Sequence, residues 1–371
     1  MKKKLFTPGP LNTPEEVRQA MMVDVGSREE EFVDCVRQVR EALLAVAGVA
    51  AGDEFAAVPM QGSGTFALES ALTTLVPNTG KLLVLENGAY GERMVEIARR
   101  AGIPVEKASV PPTEHHDPGH VGALLEGDPK ITHVALVHCE TTTGILNPVQ
   151  ELAQVAKSAG RTVLLDSMSG FGALPLSLAN GDLDVLVSSA NKCLEGVPGC
   201  AFVLVRADLL AEAEGVCPSL SLDLHAQWQG LEGNGQFRFT PPTHVLLALR
   251  RALELFGEEG GVEGRLRRYE ANHAALMEGM SGLGFRGLLP AERQSPIITA
   301  FPEPDDPAFD FDRFTELLAE RGQIIYPGKL PGQACFRIGS IGRLQPEDLR
   351  ILVQEVEAVL QVLGVALPIT R

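Results

Sequence analysis

The sequence predicts an α/β protein with a mostly parallel, doubly wound sheet in a large domain and a smaller C-terminal α+β domain. Short, branched apolar segments such as VLL at 163–165 and VLV at 185–187 are typical of strands buried on both faces of a parallel sheet. These segments alternate with helical periodicity through most of the chain, as a doubly wound sheet requires. After about residue 260 the order changes to long helix, strand, helix, two strands and final helix. We therefore expect an N-terminal segment at 1–20, a large domain at 21–259 and a small domain at 260–371.

Composition limits the possible functions. The chain has 371 residues, 45% of them hydrophobic, which is enough for a large core. Its net charge of −16 argues against a nucleic-acid partner or an anionic membrane partner. No apolar run approaches the roughly 18 residues of a membrane span. MKKKLF is followed by TPGPLNTPEE instead of an apolar stretch, and the six cysteines form no CxxC pair, so we expect a soluble cytoplasmic protein with reduced thiols.

The N-terminal third supplies a candidate anion site. Pro14 opens a first helix, and a polar loop carrying Arg28, alone among acidic residues, leads into a second helix that ends near Ala47. Ser63, Gly64 and Thr65 then precede an apolar helical stripe, where free N–H groups and the helix dipole favour phosphate. No Gly-Lys-Ser/Thr follows, which excludes a Walker loop. A simple capped turn explains this motif equally well, and a solvated loop residue explains Arg28.

The next units repeat strand, turn and helix. Tyr90 lies in the turn after KLLVLE, where its ring could stack on a planar cofactor, although a core or surface tyrosine is the commoner case. A long polar connection at 108–129 precedes a strand that ends at His138. Residues 140–143 then bring hydroxyl and carboxylate groups to the edge of the sheet, before a helix from Pro148 to about Ala159.

Asp166 and Lys192 follow two of the apolar strands. Both therefore belong at the carboxyl edge of the sheet, where open α/β folds build their sites. A lysine amine there can form a Schiff base with the aldehyde of pyridoxal phosphate, and a carboxylate keeps the pyridine nitrogen of that cofactor protonated. A surface lysine and a loop-capping aspartate are the alternative. Lys192 stands between SSAN and CLEGVPG, a small-residue setting in which a lysine is rarely exposed, so the sequence favours the catalytic interpretation.

The remaining candidates lie further along the chain. CAFVLVR at 200–206 is one more strand, and an irregular stretch follows it until a helix begins near Pro242. Thr240 and Thr243 at that helix start again suit an anion. Arg337 lies within the apolar strand CFRIG, where its planar fork could bind a carboxylate bidentately or could form a structural salt bridge.

Taken together, the chain resembles the class V, fold type I pyridoxal-phosphate-dependent aminotransferases nearly from end to end. The resemblance rests on LFTPGPLNT, PMQGSGTFALESAL, NGAYGERM, HVALVHCETTTGILNP, LLDSMSGFGALP, SSANKCLEGVPG, SLSLDLHAQW, FRFTPPTHV, SPIITAF and QIIYPGKL followed by CFRIGSIG. It implies a homodimer that binds pyridoxal 5'-phosphate. It also implies transfer of an amino group from 2-aminoethylphosphonate to pyruvate, giving phosphonoacetaldehyde and L-alanine. Alanine–glyoxylate or serine–glyoxylate transamination is the alternative within the family. A non-catalytic relative that keeps the fold and a nucleotide-binding α/β protein are less consistent with these residues.

The resemblance also implies a role for each candidate residue. Lys192 would carry the cofactor, Asp166 would pair with its ring nitrogen and Tyr90 would stack on the ring. The other residues that the resemblance implies in cofactor binding are Ser63, Gly64, Thr65, Thr143 and, from the partner subunit, Thr240. We add Thr243 to this cofactor-binding set because it lies at the same helix start as Thr240. Arg337 would bind the carboxylate of pyruvate. Arg28-Glu29-Glu30 departs from the Trp-Asp-Asp of some family members, and we expect Arg28 to contact the phosphonate.

Overall fold

The computed structural model describes residues 3–52, 54–328, 330 and 332–369, and the structural statements here concern those residues. Its helices are α1 (Glu15–Gln19), α2 (Glu30–Val46), α3 (Gly64–Leu75), α4 (Ala89–Arg100), α5 (Pro118–Gly127), α6 (Val149–Ser158), α7 (Ala207–Glu212), α8 (Leu224–Asn234), α9 (Thr243–Glu258), α10 (Gly261–Gly282), α11 (Phe311–Glu320) and α12 (Pro346–Leu363). Its strands are β1 (Lys4–Leu5), β2 (Phe55–Gln61), β3 (Lys81–Glu86), β4 (Val105–Ser109), β5 (Ile131–Val137), β6 (Cys139–Glu140), β7 (Ile145–Leu146), β8 (Thr162–Asp166), β9 (Val185–Ser189), β10 (Cys200–Arg206), β11 (Ile298–Pro302), β12 (Gln323–Ile324), β13 (Tyr326–Pro327) and β14 (Cys335–Gly339).

A seven-stranded sheet in the order β2-β10-β9-β8-β5-β3-β4 forms the centre of the protein. Strands β9, β8, β5, β3 and β4 pair in parallel, and β10 is antiparallel to both β9 and β2. Six strands therefore run in one direction, and their carboxyl ends meet at one edge. The predicted mostly parallel α/β sheet is confirmed, with CAFVLVR as its single reversed strand.

Burial on both faces explains the composition of this sheet. Val185, Leu186 and Val187 of β9 are completely buried, as are Phe202 and Val203 of β10. One continuous apolar cluster joins these strands to the helices that cover them. Because every side chain of a central strand is buried, the strands consist of branched apolar residues and lack the alternation of a half-exposed strand.

The C-terminal part has its own layer. Strands β11, β14 and β13 form an antiparallel sheet in the order β11-β14-β13. A second apolar cluster joins this sheet to α10, α11 and α12, with Phe301, Phe314 and Phe336 at its centre. Phe6 belongs to the same cluster, and β1 pairs with β12. The N-terminal segment is thus packed into the C-terminal layer, which its position in the sequence did not indicate.

Two stretches expected to be irregular contain helices. The connection at 108–129 includes α5, where Asp117 accepts a hydrogen bond from the Nα–H of His120 at 2.7 Å and Pro118 follows the cap. The stretch before Pro242 includes α8, where Asp223 caps the helix by accepting from the Nα–H of Ala226 at 2.9 Å. The sequence contains both of these helix N-cap signals. The helices were nevertheless not predicted, because the apolar residues after each cap show helical periodicity over only a short stretch. None of the helices in the described ranges combines the length and apolar character of a membrane span.

Candidate active site

A cavity of about 200 Å³, here called the inner cavity, lies at the carboxyl edge of the central sheet. Six residues selected from the sequence line it, namely Ser63, Gly64, Thr65, Tyr90, Asp166 and Lys192. They end or follow β2, β3, β8 and β9, four strands that run in the same direction, and so the topology brings them to one place. Arg93, Thr141 and Asn191 also line the inner cavity.

The Lys192 amine lies against the N-terminal segment. Its Nζ donates a hydrogen bond of 2.7 Å to the carbonyl oxygen of Pro8. Gly9 has a φ of +136°, and a Cβ added there would lie 2.4 Å from Lys192 Nζ. Only glycine fits at this position, because any side chain would enter the space of the amine. The sequence had indicated only turns at residues 7–14, and nothing local in TPGP shows that it covers a lysine almost two hundred residues away.

Asp166 ends β8 as a carboxylate that is only 3% exposed. Its Oδ1 accepts a hydrogen bond of 2.9 Å from the Nα–H of Met168. Burial raises the pKa of Asp166 to about 6, while the hydrogen bond from Met168 and the charges of Arg93 and Lys192 act in the opposite direction. A buried carboxylate that is still ionised at neutral pH is well suited to face a cationic ring nitrogen.

The start of α3 forms the second wall. Ser63 is the N-cap residue of α3, and its side chain makes no capping hydrogen bond. A Cβ at Gly64 would lie 2.3 Å from Met168 Sδ, which explains why position 64 is a glycine. Arg93 Nη1 donates a hydrogen bond of 3.1 Å to Thr65 Oγ1. A helix N-terminus and a guanidinium therefore converge on one wall, and both favour an anion.

Arg93 was not selected from the sequence, and Glu140 was expected at the edge of the sheet but was given no role. The Arg93 guanidinium lies 4.9 Å from the centre of the Tyr90 ring, one helical turn away along α4. Glu140 is fully buried, and its Oε2 accepts a hydrogen bond of 3.0 Å from the Nα–H of Tyr90. Burial raises the pKa of Glu140. These two side chains hold the Tyr90 turn, and the i, i+3 spacing of Tyr90 and Arg93 was the available sequence signal.

Arg337 and Thr143 lie behind the inner cavity. Arg337 is 2% exposed and donates to the carbonyl oxygens of Thr141 at 2.8 Å and Pro327 at 2.9 Å. No ion pair to Arg337 is found within the described ranges, and its burial lowers the pKa of the guanidinium. Thr143 is buried, and its Oγ1 donates to Pro112 O at 3.1 Å. Thr141 lines the inner cavity in its place.

Arg28 and Thr240 line a different cavity of about 320 Å³, here called the outer cavity. The other residues around it are Ser27, Gln236, Phe237, Arg238, Phe239 and Pro241. Thr243 begins α9 beside it, with its Oγ1 3.5 Å from His244 Nδ1. Within a single chain, the structure thus joins Arg28 to Thr240 but brings neither residue to Lys192.

A third cavity, larger than the inner and outer cavities, coincides with neither site. It measures about 790 Å³ and lies between α6 and residues 174–183, and His138 is one of its lining residues. Burial lowers the pKa of His138 to about 4, so this side chain is neutral at physiological pH. We place the candidate active site in the inner cavity because a lysine, a buried carboxylate, a guanidinium and a helix N-terminus meet there.

Comparisons with known proteins identify the family of this chain. The model of the family "Aminotransferase class-V" matches residues 15–338. The chain is 47% identical over 360 residues to a 2-aminoethylphosphonate–pyruvate transaminase of Pseudomonas putida (strain GB-1), covering 96% of both chains. It is 48% identical over 351 residues to a protein of the same name from Syntrophobacter fumaroxidans, covering 94% of both.

The fold is also found in solved structures. Pyridoxamine–pyruvate aminotransferase from Mesorhizobium loti superposes with a TM-score of 0.91 at 24% identity, covering 100% of this chain and 95% of that one. Alanine–glyoxylate aminotransferase from Nostoc superposes with a TM-score of 0.88 at 25% identity, covering 97% and 96%. The sequence match and the shared fold extend over nearly the whole chain, and this protein therefore belongs to the class-V aminotransferase family.

Proposed function

We propose that this protein is a pyridoxal-phosphate-dependent aminotransferase that transfers the amino group of 2-aminoethylphosphonate to pyruvate, giving phosphonoacetaldehyde and L-alanine. The observation that carries the proposal is the meeting of Lys192 and Asp166 in one cavity beside the N-terminus of α3. The names of relatives with nearly half of their residues identical over the full chain support the choice of substrates. The same names favour this reaction over the alternative within the family, alanine–glyoxylate or serine–glyoxylate transamination.

The inner cavity fits pyridoxal phosphate. The cofactor has an aldehyde, a basic ring nitrogen and a phosphate, and the cavity offers an amine, a buried carboxylate and an anion-binding helix start in turn. Ser63, Gly64, Thr65 and Arg93 would hold the phosphate, and Tyr90 would cover the ring. The implied contact with Thr143 is the weakest part of the fit, because Thr141 is the threonine that lines the cavity.

When bound, pyridoxal phosphate supplies a carbon that links covalently to amines and a ring that accepts an electron pair. Lys192 would anchor it, and its Nζ would later remove the proton from the carbon beside the amine of the donor and deliver it to the former aldehyde carbon of the cofactor, so that the amino group stays on the cofactor. The carbonyl of Pro8 would orient Nζ for this transfer. The carboxylate of Asp166 would stabilise positive charge on the ring nitrogen.

Two guanidinium groups would distinguish the substrates. Arg337, buried and bound only to carbonyl oxygens in the described part of the chain, would take the carboxylate of pyruvate. Arg28 would bind the phosphonate, and Thr240 would reach the cofactor phosphate of a partner subunit. Both residues lie in the outer cavity, and a homodimer would bring that cavity to a second copy of the inner one. We also propose that the division at about residue 260 separates a cofactor-binding domain from a smaller domain.

A visible spectrum of the purified protein tests the function. The absorbance of the lysine-linked cofactor is expected to disappear with 2-aminoethylphosphonate and to return with pyruvate. Loss of the absorbance with alanine or serine, but not with the aminophosphonate, would support the glyoxylate alternative. A colourless protein that pyridoxal phosphate cannot reconstitute would contradict the proposal.

A further inference from the structure

The loop that carries Lys192 ends in an unusual backbone conformation. Glu195 has a φ of +59°, the only positive φ of a residue other than glycine in the described ranges. Its Nα–H donates a hydrogen bond of 2.8 Å to the carbonyl oxygen of Lys192, which closes a tight turn around the lysine. Residues other than glycine rarely adopt this backbone conformation, and it persists only where the surrounding structure enforces it.

Helix α10 provides the enforcing contacts. Glu195 Oε1 accepts hydrogen bonds from Arg268 Nη2 at 2.7 Å and from the Tyr269 hydroxyl at 2.8 Å. Arg265 Nη1 lies 3.7 Å from the same oxygen and donates to the carbonyl of Cys193, the residue after Lys192. Side chains of α10 therefore hold the Lys192 loop at two points, the backbone carbonyl of Cys193 and the side chain of Glu195.

A second acid balances the charge of this cluster. Glu259, at the C-terminal cap of α9, accepts from Arg268 Nε at 2.7 Å and from Arg265 Nε at 2.9 Å. Glu195 and Arg265 are 2% and 1% exposed, so the ions are buried as well as paired. Removing either acid leaves an uncompensated buried guanidinium. Only Glu195, however, lies on the loop that carries the lysine.

We propose that Glu195 is a positioning residue, whose carboxylate, held by α10, fixes the turn that aims the Lys192 amine into the inner cavity. The inference rests on the proposed role of Lys192. The Lys192 side chain begins inside this turn and ends at the carbonyl of Pro8. A displacement of its backbone of about 1 Å would move Nζ away from the reacting carbon, which can slow a reaction about a hundredfold.

The matched variants Glu195→Gln and Glu259→Gln test the proposal. Each removes one negative charge from the same arginines with almost no change of shape. The following quantities are measured for the wild type and both variants, together with the thermal midpoint of unfolding. They are kcat and KM with pyruvate, the rate at which Lys192 captures pyridoxal phosphate in the cofactor-free protein, and amide hydrogen exchange of residues 190–196. Borohydride reduction and mass spectrometry identify the captured lysine.

In Glu195→Gln we expect kcat and the capture rate to fall about tenfold or more, with KM changed less than about twofold and faster exchange confined to residues 190–196. The thermal midpoint of unfolding should fall by a similar amount in both variants, whereas Glu259→Gln should keep both rates within about twofold of the wild type. If Glu195→Gln does not fold, Glu195→Asp keeps the charge but shortens the reach by one methylene, and the same fall in rates is expected.

Two results would overturn the proposal, and they differ. Equal rates in both glutamine variants would leave Glu195 as a purely structural ion while Lys192 kept its role. A wild-type protein that does not capture pyridoxal phosphate on Lys192 would remove the proposed function and this inference together.

Discussion

The inner and outer cavities differ in how the chain builds them. The inner cavity is lined mainly by residues at or just beyond the carboxyl ends of strands of the central sheet, and its carboxylate, Asp166, is 3% exposed. The outer cavity is lined by residues 27–28 and 236–241, two loops outside the sheet, and Arg28 and Thr240 are exposed there. The sheet therefore fixes the groups proposed to make and break bonds, while loops carry those proposed to recognise the phosphonate and the cofactor phosphate of a partner subunit.

Burial affects the charged groups in and behind the inner cavity far more than those of the outer cavity. It raises the pKa of Asp166 to about 6 and lowers the pKa of the Arg337 guanidinium behind the cavity. In such surroundings a charge interacts strongly with its partner and is costly without one. An exposed charge is screened by water and contributes about 1 kcal/mol or less. Substitutions around the inner cavity should accordingly have the larger effects.

The largest expected effect comes from Lys192→Ala. Loss of the Lys192 amine from the inner cavity should reduce kcat about 10⁴-fold or more, because both the covalent anchor and the mobile base disappear. Steady-state alanine formation from pyruvate measures it. Lys157→Ala, which removes a partly exposed lysine paired with Asp184 at 2.7 Å, is the control. Sustained multiple turnover by Lys192→Ala would contradict the assignment.

Asp166→Asn should show opposite effects on rate and stability. We expect kcat to fall about 10²- to 10³-fold, because a preorganised charge is lost. Since burial raises the pKa of Asp166 from 3.8 to about 6, this residue stabilises the cofactor-free protein at low pH, and the contribution is lost as the pH rises through 6.

At pH 7 the asparagine variant avoids the cost of burying the charge. Its free energy of unfolding should therefore be up to about 3 kcal/mol higher than that of the wild type. This advantage should disappear below about pH 4, where the wild-type carboxyl is also neutral. Urea unfolding of the two cofactor-free proteins at both pH values measures the difference. Normal kcat, or equal stability at pH 7, would remove the buried-charge interpretation.

Arg337→Ala comes next in size. It should raise KM for pyruvate about a hundredfold, because the carboxylate would lose a buried, charge-assisted partner. Arg337→Lys keeps the charge without the planar fork and should recover only part of the affinity. The KM for 2-aminoethylphosphonate, which has no carboxylate, provides the internal control. An unchanged KM for pyruvate in both variants would show that Arg337 does not bind the carboxylate and serves only through its hydrogen bonds to Thr141 and Pro327.

The smallest expected effect, and the one that sharpens the comparison most, comes from Arg28→Ala. Loss of this exposed cation should raise KM for 2-aminoethylphosphonate about fivefold, corresponding to about 1 kcal/mol, and leave KM for pyruvate unchanged. Arg37→Ala, which removes an exposed arginine paired with Asp34 and Glu41 on α2, is a matched control. If Arg28→Ala leaves the aminophosphonate constant unchanged, Arg28 is only a loop residue.

Much of the fold could be predicted because its signals are local. Branched runs such as VLL at 163–165 mark buried strands, and the residue after each strand lies at a known edge of a parallel sheet. That is why Asp166, Lys192 and the Ser63 motif were found from the sequence. Helices α5 and α8 were not predicted because their apolar residues are few and only weakly periodic, and this weak pattern outweighed the N-cap residues in the interpretation.

By itself, the sequence determined the sheet, the family and the residues at the strand ends, because buried strands and motifs are recognised from short runs of consecutive residues. Only the tertiary structure decided what covers and fixes them. Pro8 over Lys192, Glu140 under Tyr90 and the α10 cluster on Glu195 are contacts between segments 50 to 184 residues apart. No local pattern encodes such pairs, since each follows from the packing of the whole chain.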